Sequence, residues 1–398
     1  MSHQYPLVPL GDVCRFVGGG TPSRKKPEYF AGDIPWATVK DFKHFRIADT
    51  EEHISEIAVA DSATNIVEAG TVLLVSRVGL GKVAIAERKL AINQDIKGLT
   101  PAPHILSEYL FWFLLSRADE IKRMGAGATV KGITLPDIKA IQIPVPPLSE
   151  QRRIVDILSR AEGIVRLRRE AQRKAAELVP GIFLDMFGDP AANPKGWPVA
   201  TIGDVIESAD YGSSTKASEN GAGLPLIRMG NVGYDGSLSL ADLKHVELPS
   251  NEVEKYRLRE GDILFNRTNS KELVGKTGLW HGSWDAVVAS YFIRMRVKPS
   301  ILNPFYLWAF MNSSHQKRVL FDTARGAIGQ ANINSKELKA FLIGVPPLNQ
   351  QDGFERRCRD VGSIQSQQSA ATAKAEAAFA ALLAQVFSGN ATRQGLSA

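Results

Sequence analysis

Two stretches of the chain, residues 149–188 and 349–389, repeat apolar residues with a seven-residue period and are poor in the Gly and Pro that punctuate the rest. With Ile154 as an a position, Ile154, Ala161, Arg168, Ala175 and Ile182 form one column and Ile157, Ile164, Ala171 and Leu178 the d column. Leu158, Val165 and Val179 widen that stripe at e. The same register in the second stretch places Phe354, Val361, Gln368, Ala375 and Leu382 at a and Arg357, Ile364, Ala371 and Ala378 at d. Such a repeat turns one face of a helix toward a partner, so both stretches predict long helices. The seam is expected to run through Ile154, Ile157, Ala161, Ile164, Arg168 and Leu178 on one helix and Phe354, Val361, Ile364, Gln368 and Leu382 on the other. Ser149 and Asn349, each following Pro-Pro-Leu, are the candidate caps, and Pro180-Gly181 should end or kink the first helix.

Residues 1–148 and 189–348 read differently. Short β-branched runs such as Thr71–Val75, Lys82–Ala86, Val287–Met295 and Leu342–Val345 alternate with Gly, Asn, Pro and Ser, and helical stretches lie near 106–124 and 303–321. Each part reads as a compact α+β domain. The chain also repeats itself. Ile143-Pro144-Val145-Pro146-Pro147-Leu148-Ser149-Glu150-Gln151 returns as Ile343-Gly344-Val345-Pro346-Pro347-Leu348-Asn349-Gln350-Gln351, and Phe187 returns as Phe387. Further upstream the spacing drifts: Tyr109-Leu110-Phe111 answers Tyr306-Leu307-Trp308, Gly70–Leu74 answers Gly261–Phe265, and Leu10-Gly11-Asp12-Val13 answers Ile202-Gly203-Asp204-Val205. A fixed frame with variable loops is expected of a tandem duplication. The expected architecture is two globular α+β domains separated by two long antiparallel coiled-coil helices, pseudo-two-fold symmetric, with 390–398 a flexible tail.

Composition narrows the class. At 398 residues, 44% hydrophobic and 23% charged, the chain is a folded multidomain protein rather than a disordered one. A net charge of +6 fits a polyanionic partner. Two distant cysteines, Cys14 and Cys358, make neither a metal motif nor a disulfide framework, and no run of about 18 apolar residues occurs. A cytoplasmic protein without membrane contact is expected. Phe16-Val17-Gly18-Gly19-Gly20 spells the turn of an S-adenosylmethionine site, yet Thr21-Pro22-Ser23-Arg24-Lys25-Lys26-Pro27 follows where a helix must open. Asn303-Pro304-Phe305-Tyr306 lacks the second proline of an amino-methyltransferase motif and reads as a helix start. Gly275-Lys276-Thr277 ends like a phosphate-binding loop, but Ser270 stands where its first glycine belongs. Neither catalysis nor a bound cofactor or metal is expected.

Polar and basic loops remain. Thr21, Ser23, Arg24, Lys25 and Lys26 suit a phosphate backbone. Ser76, Arg77 and Lys82 in the first half, and Asn266, Arg267, Asn269 and Lys271 in the second, follow equivalent strands. They offer the Arg and Asn that pair bidentately with guanine and adenine edges. Asn93, Gln94, Arg228, Asn231, Gln330 and Asn332 offer similar groups.

At this point the chain resembles a known family. Two variable domains alternating with two helices, each introduced by Pro-Pro-Leu, and above all Pro146-Pro147-Leu148-Ser149-Glu150-Gln151-Arg152-Arg153-Ile154, resemble the DNA-specificity subunit of type I restriction-modification enzymes. Gly19-Gly20-Thr21-Pro22-Ser23 and Asn193-Pro194-Lys195-Gly196-Trp197 are similar to that family too. The second repeat departs from the pattern, with Gln350 for the usual Glu and Asp352-Gly353 for the basic pair. The resemblance implies two target-recognition domains, 1–148 and 189–348, each reading one half of a bipartite asymmetric site in double-stranded DNA. It implies that the spacer helices, 149–188 and 349–389, set the half-site spacing and dock two modification subunits, which carry DNA methylation. The restriction subunits, endonuclease and translocase, attach through the modification subunits. Alternatives are a self-sufficient DNA methyltransferase and a duplicated protein-binding scaffold.

Overall fold

The computed structural model describes residues 5–125, 132–218, 221–282, 284–327 and 330–388, of which 325–327 and 330 by backbone alone. The expected tail, 390–398, lies outside the described residues. The chain divides into two compact units, residues 1–169 with 370–398, and residues 170–369. Each unit therefore contains one α+β domain and a part of both long helices.

In the first unit a five-stranded sheet runs in the order Cys14–Gly18, Ile96–Pro101, Val72–Val75, Val83–Ala86, Arg46–Ile47. Val72–Val75 is buried at every position because both faces of the sheet are covered. Val72 and Leu74 enter a core with Tyr109, Leu110 and Phe113, while Leu73 and Val75 enter another with Ala84, Ile92 and Ile96. A second sheet places Ile34–Ala37 antiparallel to His53–Ile54 and parallel to Leu90–Ile92.

The second unit repeats this plan. Its four-stranded sheet has the order Ile206–Tyr211, Phe292–Val297, Ile263–Asn266, Thr277–Leu279. Leu224–Ile227 again pairs antiparallel on one side, with Lys244–Val246, and parallel on the other, with Val287–Val288. Asn303 caps the helix Pro304–Asn312, its side chain accepting from the Phe305 N–H, so the Asn-Pro-Phe-Tyr segment is a helix start.

The first long helix spans Leu148–Ala176 and resumes as Leu178–Phe187. Pro180 has no N–H for the carbonyl of Ala176 and its ring would crowd that carbonyl in an unbroken helix, which puts the break at Glu177, three residues before the proline rather than at it. The second long helix, Leu348–Phe387, has Ala380 at that place and runs unbroken. Within each unit the helices pair antiparallel. In the first, Ile154 and Leu158 share a core with Phe387, Phe379 and Leu382, and farther along Arg169 meets Glu376 at 2.7 Å. In the second, Gln365 donates to the Ala175 carbonyl at 2.9 Å, and Phe183 and Phe187 pack on Phe354. By length and composition Leu348–Phe387 could cross a membrane, but Phe379, Leu382, Leu383, Val386 and Phe387 pack on the core of the first unit.

The seam differs from expectation in one column. Ile164, Leu178 and Ile364 are 52%, 43% and 46% exposed, whereas Leu158, Val165, Cys358 and Thr372 are buried. Ile154, Phe354 and Val361 are buried as expected, and Ile157, Ala161, Arg168, Gln368 and Leu382 are half-buried. The inward stripe pairs a with e, which is the same alternation of three and four residues set one place along. Arg357, with its charge, stands exposed in the d column of the second helix.

Two buried glutamines fix where each helix begins. Gln151 donates to the carbonyls of His104 and Pro146 and accepts from the Leu106 N–H, each at 2.9 Å. Gln351 repeats this with Ile301, Pro346 and Asn303 at 3.1, 2.8 and 2.8 Å. The Tyr109 and Tyr306 hydroxyls also match, donating to the carbonyls of Pro144 and Gly344. Asp352, which replaces one of the basic pair, accepts from the Asn303 side chain at 3.1 Å.

At one place the units diverge. Trp112 and Phe379 pack edge to face in the first unit, whereas the corresponding Ala309 and Val179 border a groove of about 1540 Å³ in the second. Lys317 lines this groove, donating to the Gly275 carbonyl at 2.9 Å with its ammonium over the Tyr234 ring. Burial pushes its amine down to about 8. The penalty for holding the charge is complete below pH 8 and fades as pH rises toward the unfolded value. Lys317→Met is therefore expected to stabilise the second unit below pH 8, by at most roughly 3 kcal/mol less the lost hydrogen bond. Urea midpoints of both proteins from pH 7 to 10 check this, and an advantage that does not shrink above pH 8 contradicts it.

Candidate nucleic-acid interface

Strand pairing gathers the polar loops of each unit at one sheet edge. In the first unit Gly18 pairs with Lys97 and Val75 with Ile96. Loops 19–26, 76–82 and 93–95 therefore leave the sheet side by side. Gly19 packs directly on backbone, and a Cβ there would lie 2.1 Å from the Asn93 carbonyl oxygen and 2.2 Å from that of Ile92. Gly20 donates to the Ile92 carbonyl, the Thr21 hydroxyl to Gln94 Oε1, and Ser76 N–H to the Asp95 carbonyl. Thr21, Arg77 and Gln94 stand exposed around this turn, and Lys82 approaches the Val39 carbonyl at 3.4 Å.

The second unit builds the same edge. Tyr211 pairs with Ile293 and Asn266 with Phe292, so loops 212–218, 267–276 and 289–291 converge. A Cβ on Gly212 would lie 2.3 and 2.4 Å from the carbonyl oxygens of Ala289 and Val288, which makes Gly212 the structural mate of Gly19. Ser214, Thr215 and Lys216, exposed beyond it, then correspond to the first unit's Thr21–Lys26. Residue type alone did not single them out. The spacing from Leu10–Val13 to Ile202–Val205, carried forward from Gly19, lands one residue short of Gly212 and could have found them.

The structure also separates the expected contact residues by burial. Ser76, Asn93, Asn231 and Asn266 are buried and spend their polar groups on the protein. Ser76 donates to Asp95, Asn93 accepts from the Asp95 N–H, and Asn231 ties Arg228 to Ser239 and Asp242. Asn266 donates to the carbonyls of Thr268 and Tyr291 and accepts from the Asn269 amide. In this structure these four are buried and help hold the loops in shape. Strand register explains the case of Asn266. Because Ile96 pairs with Val75 and Phe292 with Asn266, the latter is the mate of a core valine and Arg267 that of Ser76. The bonds from Ile133 N–H to the Ser76 carbonyl and from Ile333 N–H to that of Arg267 agree.

Charged residues divide similarly. Arg24 is held bidentately by Glu52 at 2.7 and 2.6 Å and lies over the Phe30 ring. Lys26 meets the Tyr29 hydroxyl, Arg77 faces Asp95 at 3.7 Å, and Arg228 faces Asp242 at 3.8 Å. Lys271 lies over Phe321, and the Thr268 hydroxyl donates to Asn332 at 3.1 Å. Ser23, Lys25 and Lys216 are exposed, and the two lysines have no ion pair among the described residues. Gln330 lies in the strand Gln330–Asn332, but its side chain is outside the described residues. No group of three His, Cys, Asp or Glu among the described residues is placed to hold a metal.

Comparison with known proteins bears on this arrangement. The family profile described as type I restriction modification DNA specificity domain matches residues 4–176 and 194–354, once per unit plan. The chain is 29% identical over 286 residues to the MjaIX type I restriction enzyme specificity subunit of Methanocaldococcus jannaschii, covering 65% of this chain and 65% of that protein. It is 26% identical over 317 residues to the EcoKI specificity subunit of Escherichia coli strain K12, covering 74% of this chain and 68% of that protein. The matches thus span about two thirds of the relatives' length. A solved chain of a type I R-M system shares the fold with a TM-score of 0.61 at 21% identity, covering 98% of this chain and 100% of that one.

Proposed function

Because the chain belongs to the type I restriction-modification DNA specificity family, we propose that it is the sequence-reading subunit of such a system. In this reading it is not itself an enzyme. Each unit recognises one half of a bipartite site in double-stranded DNA through its loop edge, and the paired helices set the distance between the halves. Two modification subunits dock on the chain and carry methyl transfer, and restriction subunits join through them. The protein acts in the cytoplasm, where Cys14 and Cys358 stay free thiols. One observation carries the reading. Two glycines pressed on equivalent backbone, Gly19 and Gly212, give both units the same exposed polar edge while the side chains presented there differ. That is what reading two unlike half-sites requires.

The test is selection of randomised duplexes by the full chain with its co-purified subunits, which should enrich two short sequences separated by an unread gap. Methyl transfer from S-adenosylmethionine by the chain alone would instead favour a self-sufficient methyltransferase. Lys25→Ala and Lys216→Ala are expected to weaken all duplexes alike. Each should lower the slope of log affinity against log salt by up to about 0.9 per lost phosphate contact. Titrations between 50 and 200 mM salt check this, and an unchanged slope would remove both lysines from the DNA backbone.

A further inference from the structure

We propose that Arg267 reads a guanine within the half-site bound by the second unit, with Tyr211 and Tyr291 as its mount, an assignment that rests on the DNA-recognition reading above. Four arginines were singled out by chemistry, and three are already engaged. Arg24, Arg77 and Arg228 face the carboxylates of Glu52, Asp95 and Asp242. Arg267 faces no carboxylate among the described residues. Its guanidinium lies 5.0 Å from the centroid of the Tyr211 ring, and its Nε is buried with no partner among the described residues.

Its backbone is fixed on both sides. The Arg267 N–H donates to the Tyr291 carbonyl at 2.9 Å, and its own carbonyl accepts from the Ile333 N–H at 2.9 Å. The Tyr211 hydroxyl accepts from the Ser335 N–H at 3.3 Å, so the ring beneath the guanidinium is anchored as well. Tyr211 and Tyr291 are each 44% exposed, which places them at the open rim of the edge. A planar fork held over an aromatic ring and left without a counter-charge suits the paired O6 and N7 acceptors of guanine, whose bidentate recognition demands fixed geometry. A phosphate demands only charge within reach, which Lys25 and Lys216, without an ion pair among the described residues, supply. Among the described residues the first unit has no such device, since Gly18 stands where the second has Tyr211 and Asp95 where it has Tyr291. Guanine reading by a mounted arginine therefore belongs to one half-site only.

The experiment is the same duplex selection, run on the full chain with its co-purified subunits for wild type, Arg267→Ala, Arg267→Lys and Tyr211→Leu. Arg267→Ala should lose discrimination at one G·C pair of one half-site by roughly ten- to a hundred-fold, with the other half-site unchanged. Arg267→Lys, which keeps the charge and loses the fork, should lose it too, and Tyr211→Leu should lose part of it. An even loss over all duplexes for Arg267→Ala, rescued by Arg267→Lys, makes the side chain a phosphate clamp and overturns the assignment, as does an unchanged preference. If the wild type enriches no bipartite site, the DNA-recognition reading itself fails, and that failure is visible before any variant is examined.

Discussion

Alanine at Gly212 should erase recognition of one half-site and leave the other intact. An added Cβ would sit 2.3 Å from the Ala289 carbonyl oxygen and 2.4 Å from that of Val288, far inside van der Waals contact. Neither neighbour can step aside as a flexible side chain would. Val288 pairs with Ile227 in a sheet, and the Ser213 N–H donates to the Val288 carbonyl. Overpacking typically costs about 1–3 kcal/mol and occasionally more, and the cheapest relief against fixed backbone is to push the 212–218 loop off its seat. Gly19→Ala should do the same to the first unit, where the distances are shorter still. Gly230→Ala is the control, since a Cβ there meets nothing within 4 Å. It should change stability by no more than about 0.5 kcal/mol. Duplex selection and denaturant midpoints on the three variants decide the matter. Equal behaviour of Gly212→Ala and Gly230→Ala would show that the close approach does not hold the loop.

Much of this fold is legible in the chain because duplication writes it twice. The α+β domains, the helix at Asn303 and the antiparallel helices follow from patterns that local physics enforces, namely alternation, capping and a seven-residue period. The seam column was ambiguous for a physical reason. In the first helix both Ile157, Ile164 and Leu178 and the neighbouring Leu158, Val165 and Val179 are apolar, so either column could face inward. The second helix breaks the tie, with Arg357 in one column and Phe379 in the other.

The site was less legible, because residue type carries hydrogen-bonding capacity but not burial. Asn266 and Asn231 have the chemistry of adenine readers, yet tight loops consume those groups to satisfy their own backbone. Arg24 has the chemistry of a phosphate clamp, yet Glu52 lies within reach only once the chain has folded. Conversely, nothing local marks Tyr211 as the platform beneath Arg267. That pairing exists because one strand ends beside another, which a linear pattern does not record.

The second large effect concerns Gln351, where Gln351→Leu is expected to destabilise the second unit by roughly 3–6 kcal/mol. Leucine fills a similar volume but leaves the Asn303 N–H and the carbonyls of Ile301 and Pro346 without their partner, and the side chain they surround is fully buried. Each such orphaned group costs about 1–3 kcal/mol, and partial rescue by water is limited at a closed site. Gln351→Glu is the sharper probe. It preserves shape and one acceptor but replaces the donating amide with an oxygen directed at two carbonyls, so the carboxyl must stay protonated to donate even one hydrogen bond. Its folded-state affinity for a proton is therefore raised above the unfolded value. Stability should then be least perturbed below the unfolded carboxyl range and should fall as pH rises through the folded one. Hydrogen exchange of the helices Pro304–Asn312 and Leu348–Phe387 should report the loss in the second unit. The first unit's Ser107–Ser116 helix, held by Gln151, should keep its protection. A Gln351→Glu variant whose stability does not depend on pH between 4 and 8 would mean that the amide donates nothing essential. The two glutamines, each three residues after the leucine of its Pro-Pro-Leu segment, would then be fillers of space rather than the pins that join each long helix to its domain.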